Sequence, residues 1–417
     1  MPQHPPTLAV IGAGGRGTTY SSWVGEHPER AKIVAVAEPN EVRRRRLAAA
    51  HDIPPERCFA SWQELVAAGR VAEAAIVATQ DAHHVEPAVA LAGAGYHLLL
   101  EKPMAPSVAG CQAIVEAVRS AGVMLAVCHV MRYMPYTKLL RQVLDSGRIG
   151  EIVNIQHLEP IGYWHHAHSF VRGHWRNEAQ SSFILLAKSC HDVDWLRYVV
   201  GRPIRSVASF GGLTHFRAEN RPAGAAERCV DCQLEPTCAY SAKKLYLGAI
   251  AKGELGWPVS TITDEVTRDG VLEALETGPY GRCVYSCDND VADHQEVGIE
   301  FDGGVTASFT MTAFAPKGHR RTQIFGTKGS IDGDGERLEI VDFLSDSTEL
   351  LEVPSEGSDA ATGHGGGDAG LMDAFTAALA ADDPTLIESG PEESLETHLA
   401  VFAAERSRRA RTVESVS

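Results

Sequence analysis

Residues 8–17 read Leu-Ala-Val-Ile-Gly-Ala-Gly-Gly-Arg-Gly, a short apolar run that passes straight into Gly12-x-Gly14-x-x-Gly17. A glycine trio alone says little. Here it closes a predicted strand and opens a predicted helix, and an acid, Glu38, ends the next apolar run about 20 residues later. In that setting Gly12 serves the tight turn, Gly14 lets a pyrophosphate approach the backbone, and Gly17 lets the helix pack on the strand. The helix start at Gly15 and Arg16 turns N–H groups and a partial positive charge toward phosphates. Gly12, Gly14, Gly15, Arg16, Gly17 and Glu38 therefore form a predicted dinucleotide site. A carboxylate at 38 accepts from both ribose hydroxyls and repels a 2′-phosphate, which favours NAD over NADP. The run Arg43–Arg46 reads most simply as a solvated helix face, with Arg43 in a position to stack on adenine.

Working outward, short apolar runs at 7–11, 32–37, 74–78, 96–100 and 124–128 alternate with helical patterns near 16–27, 40–51, 61–68, 82–94 and 107–121. This alternation predicts a doubly wound parallel sheet over residues 1–130. From about 150 the pattern changes. Runs at 151–158, 204–210, 297–301, 305–312, 321–325 and 338–343 read as longer strands without crossover helices. With the turn signals Asp302-Gly303-Gly304 and Asp332-Gly333-Asp334-Gly335 they predict an α+β domain over 131–417, built on an open, mostly antiparallel sheet. Residues 211–290 interrupt it as a Cys- and Pro-containing insert. Residues 354–370 read as a Gly/Ser/Asp loop, with Asp368 capping a helix through Ala381.

The 417 residues carry a net charge of −16, which argues against a nucleic-acid partner. No apolar stretch approaches the roughly 20 residues that span a bilayer. The first strand begins near Thr7, leaving no room for a leader, so a cytoplasmic protein with reduced cysteines is expected.

The order of motifs carries a further resemblance. Gly12-Ala-Gly14-Gly-Arg-Gly17, Ala78-Thr79-Gln80-Asp81-Ala82-His83-His84, Glu101-Lys102-Pro103 after the fifth strand, and Cys190-His191-Asp192-Val193-Asp194 together resemble the glucose–fructose oxidoreductase/inositol dehydrogenase family (Gfo/Idh/MocA). The resemblance covers essentially the whole chain. It implies a Rossmann domain, an open-faced sheet that mediates homo-oligomerisation as dimer or tetramer, and chemistry on a sugar or polyol. By motif position it places Thr79, His84, Glu101 and Lys102 at the cofactor beside the glycines, and Lys102 and His191 at the substrate carbinol. The chemistry agrees, because moving a hydride from a carbinol needs a base within reach of the hydroxyl proton. A Lys or His beside a cationic nicotinamide is pushed toward its neutral form. One departure stands out. The family carries an Asp four residues before the helix histidine; here that position is Ala187, followed by Lys188. Lys188 is read as stabilising an enolate or an anionic substrate group, or else as pointing to solvent.

The segment Tyr163-Trp164-His165-His166-Ala167-His168-Ser169-Phe170-Val171-Arg172-Gly173-His174-Trp175-Arg176 is a local cationic and aromatic inversion in an acidic chain. It reads first as a substrate pocket through His166, His168, Arg172 and Trp175, second as a surface loop, third as a metal site. His294 either joins that pocket or is structural. Cys229-x2-Cys232-x5-Cys238 followed by Cys283-x3-Cys287 predicts a structural zinc held by Cys229, Cys232, Cys238 and one of the last two, with Cys283 favoured.

Three functions stay open. The first is NAD-dependent oxidation of a sugar, polyol or glycoside hydroxyl. The second is a redox-neutral NAD-dependent glycosidase working by transient C3 oxidation, elimination and water addition. A cationic pocket would suit an anionic sugar such as sulfoquinovose, whose NAD-dependent glycosidases resemble this family. The third is a cofactor-binding regulator without turnover.

Overall fold

The computed structural model describes residues 4–354 and 365–416. Its first layer follows the apolar runs closely. In chain order it comprises β1 (Thr7–Ile11), α1 (Gly15–Glu26), β2 (Lys32–Ala37), α2 (Glu41–Ala50), β3 (Cys58–Phe59) and α3 (Trp62–Ala67). β4 (Ala74–Val77), α4 (Val85–Gly93), β5 (His97–Leu100), α5 (Val108–Ala121) and β6 (Leu125–Val127) complete it. The strands are all parallel in the order β3-β2-β1-β4-β5-β6. Strand order reverses between β1 and β4, which opens a crevice at their C-terminal ends. β3 was not expected; it is two residues long, pairs with Val36 and Ala37, and is too short to leave an apolar run.

The second layer begins after α6 (Pro135–Asp145). It runs through β7 (Ile152–Pro160), α7 (Tyr163–His166), α8 (Ile184–Ala187), α9 (Cys190–Val200) and β8 (Ile204–Gly212). The insert then contributes α10 (Gly248–Ala251), α11 (Val259–Ile262) and α12 (Arg268–Thr277). β9 (His294–Phe301), β10 (Thr306–Thr312), β11 (Arg321–Gly326), β12 (Gly329–Gly333), β13 (Arg337–Asp342) and β14 (Ser347–Glu352) follow. With the terminal β15 (Val413–Ser415) they form a nine-stranded sheet, β14-β13-β12-β11-β7-β10-β9-β8-β15. Every pairing is antiparallel except β7 with β10, which the long excursion between them permits. β12, β14 and β15 were not expected, because Gly-rich or exposed strands carry little apolar alternation. One face of the sheet buries Ile155, Val207, Val297, Ile299, Phe309 and Ile324 against Val193, Leu196 and Val199 of α9.

Of the two C-terminal helices, α13 (Gly367–Ala381) returns to the first layer, while α14 (Pro391–Ala410) places Ala400, Val401, Ala403 and Ala404 in the core of the second. Leu371, Met372 and Phe375 of α13 join Leu8, Val10, Tyr20 and Trp23 in one core. Asp368 does not cap α13. Gly366, at φ 85°, occupies the cap, and the Asp368 carboxylate in the first turn accepts from the guanidinium of Arg16. The 354–370 loop lies mostly at 355–364, outside the described residues.

Between the layers, Arg132 after β6 grips the carboxylate of Asp194 on α9 with two hydrogen bonds of 2.8 and 2.7 Å, both groups fully buried. Removing one partner of such a pair strands a buried charge, at a cost of about 3–5 kcal/mol. Arg132→Met should therefore lower unfolding free energy by about that amount in urea denaturation. A change under about 1 kcal/mol would mean that the pair contributes no more than an exposed one.

Candidate active site

Gly12 sits at φ +94°, and a Cβ there would lie 2.6 Å from the carbonyl oxygen of Ala78; at Gly17 a Cβ would lie 2.0 Å from that of Gly12. Gly14 and Gly15 face open space, with nothing within 4 Å of an added Cβ. Gly14 caps α1 without a side-chain bond, so no side chain fills the place of a phosphate at that helix start. Glu38 accepts hydrogen bonds from the N–H groups of Ala13 (2.7 Å) and Asn40 (2.8 Å), which fix its carboxylate at the end of β2. The cradle fits a dinucleotide.

The other expected cofactor residues serve partly as braces. Arg16 donates to Glu101 (2.6 Å), and Glu101 also accepts from the hydroxyl of Tyr20 and the N–H of Lys102. Burial alone would raise the Glu101 carboxyl; Arg16, Lys102 and the Tyr20 bond outweigh it and hold it below the usual range. The ring nitrogens of His84 face the carbonyls of Pro103 and Thr79, and Thr79 donates to the carbonyl of His83. Arg43 pairs with Asp264 of the insert at 3.4 Å.

Across the crevice, Lys102 donates through Nζ to the carbonyl of Ala187 at 2.8 Å. The lysine is thus met by a backbone oxygen at the very residue, Ala187, where the sequence resemblance leads one to expect an acid. His191, four residues further and 4% exposed, meets His129 edge-on at 6.0 Å. His129 is fully buried, with neither ring nitrogen hydrogen-bonded among the described residues and Nε2 3.7 Å from Asp194. Burial drives its proton affinity down to about 3, so the ring is neutral. His398 behind it accepts from the Met104 N–H, and burial pushes it down to about 4.

Lys188 does not point away to solvent; it is mostly covered and paired. It binds one oxygen of Glu159 at 3.0 Å; Arg320 binds the other at 3.0 Å and also grips Asp192. Asp192 lies 3.1 Å from Nε2 of His157, and its carboxyl is held low: burial would raise it, but Arg320 and His157 overcome that. This ladder alternates cation and anion from Lys188 to the residue beside His191. The sequence reading missed Glu159 and Arg320. The available signal was the two-residue period of β7, which sets His157 and Glu159 on one face.

The histidine-rich segment divides. His168 bonds the hydroxyl of Tyr246 at 2.7 Å and stacks on Tyr280, both in the insert. Arg172 donates to the carbonyls of Arg282 and Tyr240 at 2.8 Å each. His166 is buried against Phe216, and Trp175 donates to Asp81 beside the crevice at 3.0 Å. His294 pairs with Asp293 at 2.8 Å. The structure thus sets Lys102 against Ala187, the residue before Lys188 and four before His191, and turns His168 and Arg172 toward the insert.

The zinc expectation is corrected. Among the described residues no three His, Cys, Asp or Glu side chains converge on a point that could hold a metal ion. All nine cysteines are free thiols. The sulfur of Cys229 faces the guanidinium of Arg172 at 3.6 Å, a cation in place of a cation site, and Cys287 donates to the carbonyl of Cys283. Burial also raises Cys238, disfavouring the thiolate a metal needs, and Cys232 and Cys283 complete no set. The insert is fastened by its own core of Tyr246, Val259, Val271 and Leu275, and by Arg172.

Fold and site together define a dinucleotide-binding oxidoreductase architecture, and the comparisons agree. Residues 7–129 match the Gfo/Idh/MocA "oxidoreductase family, NAD-binding Rossmann fold", and residues 141–388 match that family's C-terminal alpha/beta domain. The chain belongs to this family. YteT of Bacillus subtilis is 24% identical over 317 residues, 72% of this chain and 70% of YteT. The 2,7-anhydro-N-acetylneuraminate hydratase of Escherichia coli is 28% identical over 49% of this chain and 53% of its own length. Inositol 2-dehydrogenase of Pseudomonas savastanoi is 35% identical over 34% and 43%. The chain thus spans about half or less of the length of these last two. In fold it is similar to a levoglucosan dehydrogenase in complex with NADH and levoglucosan (TM-score 0.71, 18% identity, 99% of each chain). No helix among the described residues is long and apolar enough to cross a membrane.

Four buried imidazoles give the site a pH signature. His129 and His168 are pushed down to about 3, and His166 and His398 to about 4, in each case chiefly by burial. The unfolded chain binds protons near pH 6.5 that the folded chain refuses. Stability is therefore full above that pH and is lost as pH falls toward 4, at up to about 1.4 kcal/mol per pH unit for each ring. Urea midpoints at pH 7, 5.5 and 4.5 should fall in that order, less steeply in His129→Phe; a flat profile would show that the rings reach water.

Proposed function

We propose that the protein oxidises a hydroxyl-bearing carbon of a sugar, polyol or glycoside, using NAD+ bound across the crevice. The observation that carries this reading is the meeting of Lys102 with Ala187, which joins the end of β5 to the end of α8, where the carbinol would lie. When bound, NAD+ supplies the hydride acceptor. As the neutral amine, Lys102 takes up the hydroxyl proton and becomes the ammonium, and His191 orients the same oxygen. The charge of Lys102 reaches His129 and His398, and the neutrality of those two rings keeps further cations away from a proton that must leave. Glu38 favours NAD over NADP. The similarity to inositol 2-dehydrogenase and, in fold, to levoglucosan dehydrogenase supports a polyhydroxylated substrate.

A redox-neutral second reading rests on a specific pair. Lys188 and Glu159 stand together beside the carbinol region, supplying an acid and a base beyond those a simple oxidation needs. The E. coli relative is a hydratase, so its net reaction adds water. In this scheme the carbinol is oxidised only transiently, an aglycone leaves by elimination, water adds, and the hydride returns. Either scheme gains from an acidic sugar, because cations crowd the region.

Two experiments test these statements. Lys102→Met and His191→Asn should each lower kcat by about a thousandfold while NAD+ affinity changes less than about threefold. Retained turnover in either variant would remove that residue from the chemistry. Aryl glycosides and free sugars incubated with NAD+ should give stoichiometric absorbance at 340 nm under the first reading. Aglycone without NADH identifies the second, and neither signal across a broad panel would leave a non-catalytic binder.

A further inference from the structure

The insert brings Trp257 against Trp164 of the histidine-rich segment, with ring centroids 5.4 Å apart and planes tilted by 43°. His165 closes the third side, edge-on to Trp257 at 4.8 Å. Over both tryptophans lies the ammonium of Lys317, 5.3 Å from the centre of Trp164 and 4.9 Å from that of Trp257. The position of Lys317 is built. Gly162, at φ +93°, packs so closely that a Cβ there would lie 2.8 Å from the Lys317 Cα, and the N–H of Tyr163 donates to Ala315 two residues before it.

This corner adjoins the carbinol centre. Burial and the charge of Lys188 both lower the proton affinity of Lys317, while Glu159 raises it, so the three groups sense one another. Lys188 in turn follows Ala187, which holds Lys102. The local charges do not cancel. Lys188 and Arg320 are matched by Glu159 and Asp192, whereas Lys317 has no ion-pair partner among the described residues. His165 adds no charge: burial, then Lys188 and Lys317, push it well below its ordinary value. One cation is left over, above an aromatic wall that is still open, since Trp257 is 44% exposed.

Building on the carbohydrate reading above, we propose that Lys317, Trp164 and Trp257 form a subsite for an anionic group carried by the substrate away from its reacting carbinol. The anion pairs with the Lys317 ammonium, and the adjoining sugar face packs on Trp257. Carboxylate, sulfonate and phosphate share this chemistry, and the insert is what selects for it. A neutral sugar leaves the cation uncompensated; an acidic one restores balance while gaining a charge-assisted hydrogen bond.

The test is calorimetric titration of the NAD+-saturated protein with glucose, glucuronate, glucose 6-phosphate and 6-sulfonated glucose, and with the phenyl glycoside of each. At least one acidic member should bind about tenfold or more tightly than its neutral counterpart, with an affinity that falls as salt rises. Lys317→Met keeps the aliphatic stem on the rings and should erase that preference while leaving neutral binding within about twofold. Trp257→Ala should weaken both classes. Equal binding of acidic and neutral members, an undiminished preference in Lys317→Met, or no binding by any acidic member would overturn the proposal. Heat reads this subsite and absorbance at 340 nm reads the oxidation. Lys317-dependent binding without turnover would sink only the hydride reading; turnover of neutral and acidic sugars alike would sink only the subsite.

Discussion

Much of the molecule is organised around one carboxylate. Asp194 is fully buried and accepts two hydrogen bonds from Arg132 after the first sheet and another from Thr397 on α14, with the His129 ring beside it. A buried ion survives only when such partners replace water. Those partners come from two separated stretches of chain, neither of them that of Asp194, so satisfying one charge locks the first layer, α9 and the C-terminal helix into a single arrangement. His191 rides on the same helix three residues earlier. Its place at the crevice is inherited from a structural requirement one turn away.

The alternation from Lys188 to Asp192 extends the same logic to the second layer. Each cation there has an anion, and each anion has two donors. Such a ladder is stiff, because moving one member uncovers the next. It fixes where charge is available to a ligand and where it is already spent. At position 187 the main chain supplies the support: the Ala187 carbonyl steadies the Lys102 side chain, while the nearby carboxylates, Glu159 and Asp192, are held by Lys188, Arg320 and His157.

What could be read from the sequence was what depends on neighbours along the chain. Gly12, Gly14, Gly17 and Glu38 lie within one strand–helix–strand unit, so their spacing states their geometry. The Lys102 motif follows a strand that the apolar pattern locates, whereas the helix of His191 was legible only through the resemblance of its motif. The insert defeated that approach. Cys229 meets Arg172, 57 residues away, and His168 meets Tyr246, 78 residues away. Ligand-like spacing and core-like packing look the same until those distant partners are placed. Glu159 and Arg320 escaped for a related reason: they become neighbours through the pairing of β7 with β11, and register between strands so far apart leaves no trace in either one.

The position of α13 has a consequence for how the chain is made. Leu371, Met372 and Phe375 fill the same core as Leu8, Val10 and Trp23, so the first sheet is not covered until the far end of the polypeptide exists. During synthesis the nucleotide-binding layer emerges first, yet it must wait with part of its apolar surface bare for some 240 further residues. Order of translation and order of completion therefore run in opposite senses, and a truncated product would carry its glycine turn on an unfinished wall.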